Sequence, residues 1–334
     1  MAFQLALNEV ALILDGGTST SRLWATRASG EVVVQARVQV GARDGVTDRS
    51  PIATAVAGLV ADVSARCATL GFTPKVVVAG GMITSASGLF LVPHVVGPTD
   101  LASLAVASRV ESLPHVCSLP IVFVPGVKFV GSNHDLLTDA NVAAAMNTTD
   151  LVRGEELLCL GLAAQGLLPA GGSVISLGSH WKRLDVDAQS QLIFSRSSLS
   201  GELVAAVSAN TILAESLPHP PADELDLTWL MAGAQAARAR GLSRAFYEVR
   251  LLAVTANTSA EQRYAYLWGA TFGADLPHLL PAADTPVFVV GRDSMCQAFC
   301  ALAKQQGRDI IMLGADAAER AFRYSCLQLL TLRQ

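Results

Sequence analysis

Two stretches of the chain repeat one order of parts: LILDGGTSTSRLWATRASGEVVVQ, residues 12–35, and VISLGSHWKRLDVDAQSQLIFSR, from Val174. Each reads as an apolar strand, a small-residue turn, a strand carrying basic residues, a polar turn and a third strand. A chain that writes this meander twice is constrained to two related halves. Its 334 residues exceed what one hydrophobic core usually spans, which agrees.

The pattern around each meander extends the repeat. Pro51 to Leu70 has helical apolar spacing and closes at Gly71, ahead of the β-branched run Val76 to Val78. Ile121 to Val124 reads as a short strand ended by Pro125 and Gly126. The segment from Gly131 to Val152 is polar and weakly periodic, and reads as a connection in which His134 is a solvated side chain. The boundary is expected near Asp150, giving domains 1–150 and 151–334. Beyond it come a helix from Glu155, the second meander, several helices between Leu199 and Leu280, a strand at Val287 to Val290, and a final helix, strand and helix. The repeated unit is β-β-β-α-β-α.

Hydrophobic residues make up 51% of the chain and charged ones 16%, which favours large buried sheets over disorder. The longest uncharged run, Leu157 to Ser179, is broken by Gly166, Pro169, Gly171 and Gly172, so it reads as helix, loop and strand, not as a membrane span. A net charge of −4 without basic clusters argues against nucleic-acid binding and for small-molecule partners. The N-terminus lacks the basic flank and cleavage site of a signal peptide, so a cytoplasmic location with reduced cysteines is expected. The six cysteines show no paired metal-ligand spacing, and Cys296 and Cys300 read as core of an apolar helix.

Backbone N–H groups in a Gly/Ser/Thr turn can converge on a phosphate because no bulky Cβ blocks the approach. Asp15 would repel that anion unless a divalent cation lay between them. Asp15 beside Gly16, Gly17, Thr18, Ser19 and Thr20 therefore points to a Mg2+–phosphate site. The second turn, Gly178, Ser179 and His180, has no such acid and would hold phosphate with N–H and hydroxyl donors. A hairpin turn with no ligand explains either one alone; the duplication favours phosphate.

Two such hairpins facing across a cleft are how the actin, heat-shock ATPase and sugar-kinase superfamily grips ATP, and the chain resembles that superfamily over nearly its whole length. The resemblance implies a duplicated actin-like ATPase (ribonuclease H-like) α/β fold of two lobes with a central nucleotide cleft. It also sets Gly291 and Gly314, which end strands in the segment from Val287, on the adenosine side.

Several strings in order look like the 2-keto-3-deoxygalactonate kinase family: Asp15-Gly16-Gly17-Thr18 with Arg22 and Trp24; AGGMITSASGLFLVPHV from Ala79; Val124-Pro125-Gly126; Asp150 with Arg153-Gly154-Glu155-Glu156; Gly178-Ser179-His180 with Lys182; Leu199-Ser200-Gly201-Glu202-Leu203; and Phe246 with Glu248-Val249-Arg250. The chain departs from the family's usual residues at Gly16, Thr20, Thr84, Ala86, His94, Leu177, Trp181 and Arg183. Those at Thr84, Ala86 and His94 fall where the sugar-acid pocket is expected.

The resemblance implies ATP- and Mg2+-dependent phosphorylation of the terminal hydroxyl of 2-dehydro-3-deoxy-D-galactonate. Gly154-Glu155 corresponds to a Gly-Asp pair of related sugar kinases, which makes Glu155 the expected general base and Glu156 the second candidate; a first-turn acid that only complements the helix dipole is the alternative. The substrate carboxylate requires a cation, for which Arg153 is placed best, while Lys182 suits phosphate and Arg250 reads as an ion-pair partner. Met82, Thr84 and Ser85 follow a strand's C-terminal end, where ligand crevices form, and with His94 are expected to meet the substrate. Competing readings are a kinase for another sugar acid or a neutral sugar, and a nucleotide-binding regulator without transfer. A homodimer remains open.

Overall fold

The computed structural model describes residues 3–130 and 142–333; His134 lies outside them. The chain forms two compact units, one of Met1–Ala170, Val186–Ser195 and Asp316–Gln334, the other of Gly171–Asp185 and Arg196–Ala315. The division thus differs from one near Asp150.

In the first unit β1 (Glu9–Gly16), β2 (Ser21–Thr26) and β3 (Val32–Val38) form the expected antiparallel meander. Helix α1 (Ser50–Thr69), with proline in its first turn, buries Ile52, Val56, Val60, Val63 and Cys67, and β4 (Thr73–Gly81) returns parallel to β1. The chain continues through β5 (Val95–Val96), α2 (Leu101–Ala107), β6 (Arg109–Glu111) and β7 (Ile121–Phe123), giving the sheet order β3-β2-β1-β4-β7-β6. Helix α2 is capped by Asp100, whose carboxylate accepts from Ser103 N at 2.8 Å.

After β8 (Val127–Phe129) and α3 (Val142–Met146), β9 (Asp150–Val152) completes a three-stranded sheet β5-β8-β9. Asp150 is therefore a strand residue inside the first unit. It accepts a hydrogen bond at 2.7 Å from Ser195, one reason that segment belongs here. Helix α4 (Glu155–Ala164) follows.

The second unit repeats the plan. Strands β10 (Ser173–Leu177), β11 (Trp181–Val186) and β12 (Leu192–Ser198) form the second meander. Helices α5 (Ser200–Asn210), α6 (Leu227–Arg240), α7 (Leu242–Thr255) and α8 (Ala260–Leu279) occupy the place that α1 fills in the first unit. Then come β13 (Val287–Gly291), α9 (Asp293–Lys304) and β14 (Ile311–Met312). The order β12-β11-β10-β13-β14 matches β3-β2-β1-β4-β7, with the last three strands parallel in both sheets. Trp181, 1% exposed, stacks on Phe272 at 4.4 Å in the core of this unit. Cys296 is fully buried in the same core.

Helix α10 (Ala315–Leu332) closes the chain and packs with the first unit. Its Ser325 hydroxyl donates to Leu157 O at 2.7 Å, and the absence of a side chain at Gly161 lets α4 approach Ala321 O. Among the described residues α1 is the one helix long and apolar enough to cross a membrane; one third of that stretch is buried within the protein.

Candidate functional site

Strands β1 and β4 run in parallel register, Asp15 beside Gly80 and Gly16 beside Gly81, so their C-terminal ends arrive together. Ligand crevices form at such ends. A Cβ at Gly81 would stand 2.7 Å from Gly16 O and 3.2 Å from Asp15 Oδ1, and one at Gly154 would stand 3.1 Å from Gly81 Cα. Two glycines thus bring the start of α4 against the end of β1. Gly154, with φ of 113°, also occupies a backbone region that side chains disfavour.

This packing gathers carboxylates. Asp15 is part-buried, and desolvation pushes its carboxyl up to about 6; Arg22 opposes the rise, while Glu155 and Glu319 add to it. Glu156 is 1% exposed, and its Oε2 accepts from Gly154 N at 2.6 Å. Burial, then the charge of Glu155, pushes Glu156 up to about 7. Glu155 is half-buried at the first position of the helix. Of the two adjacent acids, Glu156 is committed to the helix start.

The first hairpin turn is braced from one side. Gly17 N donates to Thr20 O, Ala42 N donates to Gly17 O at 3.0 Å, and Arg43 N donates to Thr18 O at 2.9 Å. Gly41 makes room, since a Cβ there would lie 2.5 Å from Thr18 O. With the carbonyls of Gly17 and Thr18 occupied, the N–H groups of Thr18 and Ser19 meet no acceptor among the described residues. Arg22 is exposed and pairs with Glu319 at 3.0 Å.

The second hairpin is braced in the same manner. Glu202 N donates to Ser179 O at 2.8 Å, and a Cβ at Gly201 would lie 2.4 Å from Gly178 O. His180 Nε2 is 2.8 Å from Glu202 Oε2. Asp275 on α8 accepts from Ser198 Oγ at 2.5 Å and from Ser200 Oγ, fixing the start of α5. Lys182 lies on β11, 8% exposed, opposite Ser176. Gly291 ends β13 beside Leu177, and Gly314 is exposed beyond β14.

Gly41 and Gly201, which the sequence reading passed over as site residues, each stand three positions beyond the third strand of their meander. The duplication was the signal that could have found them. Asp275 had none.

The expected substrate residues divide. Met82, Ser85 and His94 are half-buried, with Ser85 Oγ 3.2 Å from Ser87 Oγ. Thr84 is fully buried, its hydroxyl donating to Gly81 O and accepting from Arg153 Nη1 at 2.6 Å. Arg153 also donates to Thr84 O at 2.8 Å and Val92 O at 3.0 Å, and its Nη2 lies 3.2 Å from His94 Nε2. The guanidinium expected to meet the substrate is instead engaged in holding the Met82–His94 segment. Thr84 serves the same bracing, because it has no exposed surface to offer a ligand.

A family model described as 2-keto-3-deoxy-galactonokinase matches residues 15–323. No curated protein sequence matches the chain. Among solved structures, a provisionally assigned 2-dehydro-3-deoxygalactonokinase from Sinorhizobium meliloti is 21% identical with a TM-score of 0.73, covering 95% of this chain and 97% of its own. The activator of the 2-hydroxyisocaproyl-CoA dehydratase from Clostridium difficile, solved with ADPNP, is 11% identical with a TM-score of 0.49, covering 96% and 94%. A provisionally assigned N-acetylglucosamine kinase from Porphyromonas gingivalis is 15% identical with a TM-score of 0.46, covering 94% and 98%. The chain shares its duplicated α/β fold with the Sinorhizobium meliloti structure over nearly the whole of both chains. The chain belongs to the 2-keto-3-deoxy-galactonokinase family and is a sugar kinase, a phosphotransferase with an alcohol acceptor.

Proposed function

We propose that the protein transfers the γ-phosphoryl group of ATP to the terminal hydroxyl of 2-dehydro-3-deoxy-D-galactonate, giving the 6-phosphate in galactonate-type carbohydrate catabolism. The observation that carries this reading is the stack of Asp15, Gly81 and Gly154, which sets Glu155 at a helix start beside the carboxylate suited to a divalent cation.

The residues present fit ATP with Mg2+. Magnesium takes one or two protein carboxylates and completes its shell with phosphate and water oxygens, and among the described residues no group of three or more His, Cys, Asp or Glu could hold a metal by itself. Asp15 would supply the carboxylate. Gly16, Gly17, Thr18, Ser19 and Arg22 in one hairpin, and Gly178, Ser179, His180 and Lys182 in the other, would supply phosphate donors; Gly291 and Gly314 take the adenosine side. Bound Mg2+ would neutralise charge that develops on the phosphates.

Glu155 accepts the proton of the terminal hydroxyl as its oxygen bonds to phosphorus and the bond to the departing ADP breaks. Glu156 keeps the helix start in place through Gly154 N–H. Met82, Ser85 and His94 face the acceptor, while Thr84 and Arg153 hold their loop.

Glu155→Gln should lower kcat by about two to four orders of magnitude with folding intact, read as acceptor-dependent ADP release. Near-wild-type turnover in a folded variant would remove Glu155 from the role of base.

A further inference from the structure

A sugar acid needs a cation for its carboxylate, and Arg153 is engaged with Thr84 and Val92. Other cations of the first unit are also paired: Arg22 with Glu319, Arg27 with Glu31, Arg66 with Asp62 and Lys75 with Glu9. Arg43, like Arg37, Arg49 and Arg109, is exposed, and among the described residues its side chain makes no hydrogen bond or ion pair; it differs from those three in being tied to the first hairpin turn through its backbone N–H.

Its backbone position is narrowly fixed. Arg43 lies on the short 3-10 helix Ala42–Gly45, clamped at both ends. At one end Gly41 presses on Thr18 and Arg43 N donates to Thr18 O. At the other, a Cβ on Gly45 would stand 2.2 Å from Ser87 O. The neighbouring acid, Asp44, is turned onto Gly41 N at 2.9 Å. The backbone that carries this uncommitted guanidinium is thereby held between the first hairpin and the serine turn that follows Met82.

We propose that Arg43 binds the carboxylate of the acceptor and so selects sugar acids over neutral sugars, an inference that rests on the kinase activity proposed above. A guanidinium suits this task because its planar fork matches a carboxylate bidentately.

The test compares wild type, Arg43→Gln and Arg43→Lys in the full chain, with 2-dehydro-3-deoxy-D-galactonate and with the matching neutral acceptor whose carboxylate is reduced to an alcohol. Arg43→Gln should raise KM for the acid about 10- to 100-fold and leave KM for ATP, KM for the neutral acceptor and the melting temperature unchanged. Arg43→Lys should recover part of the loss. An unchanged KM for the acid in Arg43→Gln, with wild type active, overturns the role of Arg43 and spares the activity. Wild type that releases no ADP with the acid overturns both.

Discussion

At residue scale, the two acids that open α4 separate by what surrounds them. Glu156 faces the interior with its carboxyl held at about 7, whereas an unfolded glutamate titrates near 4.5. Between those values the native chain holds more protons than the unfolded one, so stability without ligand falls as pH rises through that window. Glu156→Gln keeps an acceptor for Gly154 N–H and removes the ionisation. It should therefore raise the melting temperature relative to wild type at about pH 8 and give no gain at about pH 5, in paired thermal scans. A variant destabilised equally at both pH values would mean that the charged form, not the neutral one, holds the helix start. Asp15 and Glu155 could be singled out as candidates from the sequence because an acid beside a Gly/Ser/Thr turn and an acid after glycine each have a chemical meaning at short spacing. The engagement of Arg153 could not be read there, since its partners Thr84 and Val92 lie 69 and 61 positions away.

At the scale of elements, the meanders were readable because each strand is long enough to show its pattern between turn residues. The strands β5, β6, β8 and β9, of two or three residues each, are too short to carry any period and went unnoticed. What neither strands nor turns disclosed is the brace behind each hairpin. Gly201 meets Gly178 O backbone to backbone, so an added methyl cannot be relieved by rotating a side chain. Gly201→Ala should displace the hairpin, weakening nucleotide affinity about tenfold or more at a stability cost of about 1–3 kcal/mol. Gly58→Ala, where a Cβ meets nothing within 4 Å, serves as the control. Calorimetric titration with ATP decides the matter: equal affinity in both variants would show that the brace does not position the turn.

At the scale of the whole molecule, the final helix belongs with the first unit although it follows the last strand of the second. Sequence could show that α10 has an apolar face but not which core receives that face, because amphipathicity names no partner. Phe322 stands over Gly80, Ser325 bonds to Leu157 O, Arg323 lies 5.4 Å from the centre of the Trp24 ring, and Arg333 donates to Ala105 O and Ser108 O. Burial of Phe322, Leu329 and Leu330, at about 1.5–3 kcal/mol each, contributes roughly 5–9 kcal/mol, as large as the whole stability of many domains. A chain ending at Gly314 keeps every strand of both large sheets and should still lose the first unit. Hydrogen exchange followed by mass spectrometry should find β1 to β4 unprotected while β10, β11 and β13 retain protection. Equal protection in both units would mean that the first one folds without α10, and that its packing there is accessory to the fold instead of required by it.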